Sequence, residues 1–247
     1  MRFPVASAPS SGGSVTPEAL AALGVYVPVR VEISAAQIAA AHVTRVDLVP
    51  DPGADKLVSI QRINFVLTGR EGVASPIGNF TVSWPGLFGS ESAITPGTFT
   101  FQAADSWAAV NGVEPIEGDS PIDLSDVVNQ PVQFGCSTEK TVYGGIGAGS
   151  GIAAAGSDWV VNDTFTVDGG VFDPTLAIGV VDSVVNGEIT AYHITTNANG
   201  YLIGTSNITA TSGIGSGAAL DVTDLDYSVN PLKIVAHVKY DIIDCAP

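Results

Sequence analysis

Residues 43–67 read VTRVDLVPDPGADKLVSIQRINFVL, and the interpretation of the whole chain starts from them. Apolar and polar residues alternate on both sides of the turn Pro50–Gly53, which is the pattern of half-buried strands joined by a tight connection. We therefore predict a hairpin with a short first strand and a longer second strand that ends at Leu67. One face of the longer strand is predicted to carry Leu57, Ser59, Gln61, Ile63, Phe65 and Leu67.

A second alternating stretch lies near the other end of the sequence. Residues 232–243 read LKIVAHVKYDII. A single strand is not stable alone, so this stretch must pair with strands that precede it. We predict that it pairs with the strands around Val43–Leu67, which makes the intervening region a domain inserted into the first one.

Charge patterning marks the same inserted region. Between Lys140 and Lys233 the sequence has no lysine or arginine and nine acidic residues. The Asn186–Gly187 pair between two alternating runs predicts a β-hairpin with a two-residue turn. Residues 141–156 are rich in glycine and alanine, a composition typical of a hinge.

These patterns predict an all-β protein, with a β-sandwich or jelly-roll-like base domain and an inserted small β domain. The predicted base domain is formed by residues 25–140 and 229–247, and the inserted domain by residues 157–226. Residues 141–156 and 227–228 are predicted hinges, and residues 1–24 a flexible arm with a short helix.

Two shorter elements are predicted inside the base domain. Ser34 is placed to cap a short alanine-rich helix that leads into residues 43–67. Residues 105–110 are predicted to form one helical turn between the strand at 98–102 and an acidic loop at 114–126.

Composition limits the classes of partner. The 28 glycines, the 15 prolines and a charged fraction of 14% indicate short strands and tight turns. A net charge of −16 argues against binding to a nucleic acid backbone, which requires clustered lysine and arginine. No apolar run approaches the ~18–20 residues that cross a bilayer, and no signal peptide is recognised. We therefore expect neither a nucleic acid nor a membrane as partner.

The sequence contains no recognisable catalytic constellation. Its three histidines are scattered, and the motifs of serine, zinc and dithiol chemistry do not occur. We therefore expect no catalytic residues, no cofactor and no metal, and a protein that is not an enzyme. Cys136 and Cys245 are expected to be free thiols, although a disulfide remains open if their strands are neighbours.

Two segments carry a resemblance to bacteriophage proteins. Residues 33–56, ISAAQIAAAHVTRVDLVPDPGADK, together with the closing Tyr240–Ile243, resemble a motif of small phage virion proteins. Arg45, Asp51 and Asp55 depart from that motif. The inserted region, with residues 159–167, 187–190 and 213–218, is similar to a glycine-rich β module of phage fibre and capsid-surface proteins.

This resemblance implies a structural component of the virion, assembled in the host cytoplasm. The implied role is that of a capsid decoration or cement protein, whose partners are the major capsid protein and further copies of itself, a homotrimer by analogy. The candidate attachment residues are Arg2, Phe3, Pro50, Asp51, Pro52, Gly53 and Lys56.

Two alternatives stay open at this point. The first is a tail-fibre or receptor-binding component that contacts host glycans through Trp159, Tyr192 and Tyr201. The second is an enzyme such as a depolymerase that acts through Glu114, Glu117 and Asp119 of the acidic loop.

Overall fold

A computed structural model describes residues 29–69, 80–85, 98–99, 107–113, 127–170 and 176–245. Its strands are, in chain order, β1 (Val29–Ser34), β2 (Val46–Val49), β3 (Lys56–Thr68), β4 (Phe80–Ser83), β5 (Thr98–Phe99), β6 (Trp107–Val113), β7 (Val132–Gly135), β8 (Gly145–Ile146), β9 (Gly151–Ser157), β10 (Thr164–Val167), β11 (Ile178–Val185), β12 (Glu188–Thr196), β13 (Gly204–Ala210), β14 (Ser216–Val222), β15 (Leu225–Asp226) and β16 (Lys233–Asp244). A helix, α1 (Ala35–Ala40), and a 3₁₀ turn, Tyr227–Val229, complete the described elements. The all-β class predicted from the sequence is confirmed.

Two four-stranded antiparallel sheets form a sandwich. The first has the order β1-β16-β3-β6 and the second the order β2-β7-β4-β5. Their inner faces share one hydrophobic core, in which the rings of Phe65 and Phe134 from opposite sheets lie 6.1 Å apart. Burial of this apolar surface is the main stabilising contribution to the sandwich.

The final strand pairs with a strand that precedes the lysine-free region. Its register with β3 runs from Lys233 opposite Thr68 to Asp244 opposite Lys56. β16 also pairs with β1, so it is a central strand of its sheet. The predicted pairing of the last stretch is therefore confirmed.

The predicted hairpin across residues 50–53 is wrong. β2 pairs with β7 in one sheet, whereas β3 pairs with β16 and β6 in the other. Both strands carry an apolar face, and the sandwich packs these two faces against each other across its core. A hairpin would instead place the two strands side by side in one sheet. Residues 50–55 therefore cross from one sheet to the other.

The predicted inward face of β3 is correct for only part of the strand. Leu57, Ile63, Phe65 and Leu67 are buried as predicted, but Val58 and Ile60 fill the core in place of Ser59 and Gln61. The register between β3 and β16 shifts at Lys239/Tyr240. Such a bulge changes which residues face inward, because side chains alternate with a period of two.

Two local predictions for the base have opposite outcomes. Ser34 caps α1 through a capping box, with the Gln37 backbone amide donating to Ser34 Oγ at 3.3 Å. By contrast, residues 107–110 belong to β6 and do not form a helical turn. Pairing of β6 with Ile60–Val66 explains this difference, because tertiary pairing overrides a weak local preference.

The lysine-free region folds into a second body, called here the barrel lobe. Its six-stranded sheet has the order β12-β11-β10-β13-β14-β9 and surrounds a separate core containing Trp159, Phe165 and Tyr201. The predicted hairpin is confirmed, since Val185 pairs with Glu188 and the two turn residues have φ angles of +53° and +83°. These positive angles are those of a type I′ turn, which favours Asn-Gly.

The hinge predicted over residues 141–156 is wrong for its second half. Residues 151–157 form β9, which pairs with β14. Gly156 has a φ of +69°, and a side chain there would run into the backbone of Ser216 and the indole of Trp159. The small residues of this segment therefore allow close packing, and their composition does not indicate a flexible linker.

The two connections between sandwich and lobe lie side by side and are called here the neck. β8 pairs with β15, and Gly144 exchanges backbone hydrogen bonds with Tyr201. The side chain of Asn230 donates to the carbonyl oxygen of Tyr143 at 2.6 Å. The chain thus enters and leaves the lobe at one place.

Candidate functional site

The predicted attachment turn lies on the surface at one end of the sandwich. Pro50, Asp51, Gly53 and Lys56 are exposed and Pro52 is half-buried. Asp51 Oδ1 accepts a hydrogen bond of 2.8 Å from the Gly53 amide, which fixes the shape of the turn. The other two attachment candidates, Arg2 and Phe3, lie outside the described residues.

This turn and the neck lie at opposite ends of β16. Lys56 is paired with Asp244 at the far end of the strand, and Lys233 begins the strand beside the neck. The far end also carries two exposed aliphatic side chains, Ile242 and Ile243, with 52% and 46% of their surface accessible. Exposed aliphatic groups next to a rigid turn are suited to contact with another protein.

Two of the three glycan-contact candidates are core residues. Trp159 and Tyr201 are 2% and 1% exposed, so their rings cannot stack on a sugar. Tyr201 Oη donates to the Val167 carbonyl and accepts from the Ala177 amide, at 2.8 and 2.9 Å. Tyr192 alone of the three lines an open groove. The proposed contacts through Trp159 and Tyr201 are therefore wrong.

That groove, about 1080 Å³ in volume, lies where the lobe meets the sandwich. Its walls are the start of β9, the middle of β12 and residues 224–228, and Ala36 of α1 lines it on the side of the sandwich. Ligand sites occur preferentially at such junctions between folded units. The groove is therefore the candidate binding site of the described residues.

Asn197 and Asp226 form the floor of the groove through a hydrogen-bond network. Asn197 Oδ1 accepts from the Ile146 amide at 2.9 Å, and its Nδ2 donates to Asp226 Oδ2 at 3.1 Å. The Ser228 hydroxyl and amide both donate to Asp226 Oδ1, and Asn197 adds a weaker contribution. These bonds hold the pKa of Asp226 below its ordinary value.

Asp224 and Tyr227 also line the groove, and their side chains take no part in this network. No hydrogen bond to the Asp224 carboxylate or from the Tyr227 hydroxyl occurs within the described part of the chain. Burial raises the pKa of Tyr227, and the charges of Glu139 and Asp224 raise it further. Tyr227 therefore remains a neutral phenol next to a carboxylate, a pair that suits a cationic group.

No pattern in the sequence indicates this groove directly. Its residues come from four separated segments, and one of them contains the predicted hinge at residues 227–228. The pairing of β8 with β15 and the hydrogen bond from Asn197 Nδ2 to Asp226 Oδ2 hold residues 224–228 near β12. Glu114, Glu117 and Asp119, the candidates for a depolymerase, lie outside the described residues.

In the ranges that the structure describes, other chemistry-bearing residues do not assemble into a site. Among the described residues no group of three His, Cys, Asp or Glu side chains is arranged to hold a metal ion. His193 Nδ1 lies 2.7 Å from Asp182 Oδ1 on the surface of the lobe. Cys136 and Cys245 are both free, as expected. No helix in the described ranges has the length and apolar character needed to span a membrane.

Comparison with known proteins gives no significant match to a family model, a curated protein or a solved structure. The fold and the groove are therefore the findings from which function is inferred. Function itself depends on the arrangement of the two bodies and their surfaces.

Proposed function

We propose that this chain is a structural protein of a bacteriophage particle, a capsid decoration or cement protein. The sandwich binds the capsid lattice and the barrel lobe projects outward. The partners are the major capsid protein and further copies of this chain, with a trimer as the expected state by analogy. The chain acts in the virion as a binding component and not as an enzyme.

The position of the attachment turn carries this proposal. β16 has 12 residues and connects the neck to the turn end of the sandwich. At about 3.3 Å per residue, the strand separates the two surfaces by roughly 40 Å. A protein anchored at the Pro50–Lys56 end therefore holds its lobe well away from the anchor.

The charge distribution supports the same orientation. All nine lysines and arginines lie outside residues 141–232, which contain nine acidic residues. An acidic outer lobe keeps neighbouring particles apart by repulsion, whereas the basic residues that the structure describes belong to the sandwich. The exposed Ile242 and Ile243 add apolar surface at the anchoring end.

Reconstitution of particles that lack this chain tests the proposal. We expect the purified protein to co-sediment with such particles, and Lys56→Glu to reduce its occupancy severalfold. Lys233→Glu is the matched control, because it makes the same charge change at the other end of β16. Equal occupancy for the two variants would show that the turn is not part of the attachment surface.

Whole-particle density distinguishes decoration from the receptor-binding alternative. A decoration protein is distributed over the shell in many copies, whereas a fibre component is confined to the tail in few copies. Tyr192 is the glycan candidate that remains accessible to that alternative. Density for this chain only at the tail would contradict the decoration proposal.

A further inference from the structure

The groove at the neck lies between two strand edges. Within the described residues, β12 pairs only with β11 and β9 only with β14. An edge strand leaves alternate backbone amides and carbonyls without strand partners. The gap between β12 and β9 is closed at the end away from the neck, where the Trp159 amide donates to the Gly187 carbonyl at 3.0 Å. The groove lies at the opposite end, between Ser150–Ile152 and Thr190–Ile194.

The side chains of the groove favour a positively charged ligand. Asp224, Tyr227 and Tyr192 all line the groove, and the Tyr192 hydroxyl donates to the Ser150 carbonyl oxygen at 2.9 Å, from one wall to the other. No lysine or arginine occurs between residues 140 and 233 to neutralise this site. A cleft lined by one sign of charge concentrates ligands of the opposite sign, and aromatic rings attract cations.

We propose that the groove binds an extended, basic peptide segment of another protein. The segment adds a strand to the edge of β12 at Thr190–Ile194 and directs a lysine or arginine side chain to Asp224 and Tyr227. Main-chain hydrogen bonds supply affinity in this mode of recognition, and side-chain pockets supply specificity. The inference is independent of the position of the chain on a particle.

The size of the groove agrees with a peptide. Its volume of about 1080 Å³ lies at the upper end of the roughly 300–1,000 Å³ of ligand clefts, which leaves room for several peptide residues. A second lobe is disfavoured as the occupant, since two lobes without any lysine or arginine repel each other.

Titration calorimetry of the full chain with synthetic peptides tests the proposal. The first probe is an acetylated and amidated octapeptide of alternating lysine and threonine, and the second replaces every lysine with glutamate. We expect the lysine peptide to bind with a Kd of about 10⁻⁵ M at low salt, within the range of weak peptide recognition. Absence of binding by the lysine peptide, or equal binding by the glutamate peptide, would overturn the proposal.

Two N-methylated lysine peptides test the strand pairing. One is methylated at every lysine amide and the other at every threonine amide, so each loses the donors along one edge only. We expect one of them to bind at least about tenfold more weakly and the other to remain within about threefold of the parent peptide. Equal affinities for the two methylated peptides would exclude pairing through one strand edge.

Protein variants locate the binding site. Asp224→Asn should weaken binding of the lysine peptide about threefold to tenfold, and Ala191→Trp should abolish it by filling the groove. Glu188→Gln, the same charge change on an exposed residue outside the groove, should leave the Kd within about twofold. Equal weakening by Asp224→Asn and Glu188→Gln would show diffuse attraction and overturn the site. Displacement of the peptide by the neutral sugar maltoheptaose would assign the groove to glycans instead.

Discussion

Asn230 is bonded to Tyr143 across the neck, through a 2.6 Å hydrogen bond from Asn230 Nδ2 to the Tyr143 carbonyl oxygen. Asn230 Oδ1 also accepts from the Leu232 amide at 2.7 Å. One buried side chain therefore joins the segment that enters the barrel lobe to the segment that leaves it.

The first prediction concerns this bond. Asn230→Ala should lower the free energy of unfolding by about 2–4 kcal/mol, because it leaves a buried carbonyl and a buried amide without these partners. Urea unfolding followed by circular dichroism measures the change. Asn64→Ala, a change on the exposed face of β3, should cost under about 0.5 kcal/mol. Similar losses for both variants would mean that the neck bond contributes nothing specific.

The second prediction concerns packing inside the lobe. Gly179 lies against the ring of the fully buried Phe165, and a methyl group at this position would overlap that ring. Gly179→Ala should therefore destabilise the protein by about 1–3 kcal/mol. Gly151→Ala is the control, because nothing lies within 4 Å of its added methyl group. A Gly179→Ala protein as stable as Gly151→Ala would show that the core of the lobe is loosely packed.

The third prediction concerns acid stability. The pKa of Asp226 is lowered by hydrogen bonds from Ser228 and Asn197, so the carboxylate stabilises the folded state when it is ionised. This contribution is complete above the unfolded pKa of about 3.9 and is lost as the pH falls through the lower folded value. Asp226→Asn should therefore flatten the decline in the urea midpoint below about pH 4. Asp224→Asn is the comparison, and an unchanged slope for Asp226→Asn would contradict the prediction.

The fourth prediction concerns the two thiols. Burial raises the pKa of Cys136, whose Sγ lies 3.2 Å from the Thr138 carbonyl, whereas Cys245 is half-buried next to the end of β16. An aromatic disulfide reagent at pH 8 should modify Cys245 in the folded protein and both thiols after unfolding, since thiolates react and buried thiols do not. Rapid modification of Cys136 in folded Cys245→Ser, or fewer than two thiols after unfolding, would disprove this arrangement.

Sequence patterns were sufficient for the elements with strong periodicity. The alternation of residues 232–243, and the rule that a strand is not stable alone, predict that this stretch pairs with the strands around residues 43–67, and β16 pairs with β3. The Asn186–Gly187 turn was equally clear, because its backbone requires positive φ angles that few residue pairs adopt. In both cases the local signal and the tertiary structure agree.

The errors arose where tertiary contacts decide between local alternatives. Alternation alone does not distinguish a hairpin from two strands that face each other in a sandwich, as with β2 and β3. Glycine and alanine in β9 indicated a linker because close approach of another strand cannot be read from composition. Trp159 and Tyr201 were expected on the surface, but both belong to the hydrophobic core of the lobe.

The groove could not be predicted from sequence for a related reason. Asp224, Tyr227 and Tyr192 become neighbours only when β15 pairs with β8 and the edge of β12 is left open. No short sequence motif indicates that these separate segments come together in the fold. The sequence shows that residues 141–232 contain no lysine or arginine, and the structure shows that this region forms most of the groove.

The side-by-side neck also makes the lobe exchangeable. Because entry and exit meet between Tyr143 and Asn230, any compact unit with adjacent termini can be grafted there without cutting a strand of the sandwich. A chain that carries a different unit at this point would therefore keep the sandwich and its exposed Pro50–Lys56 turn unchanged.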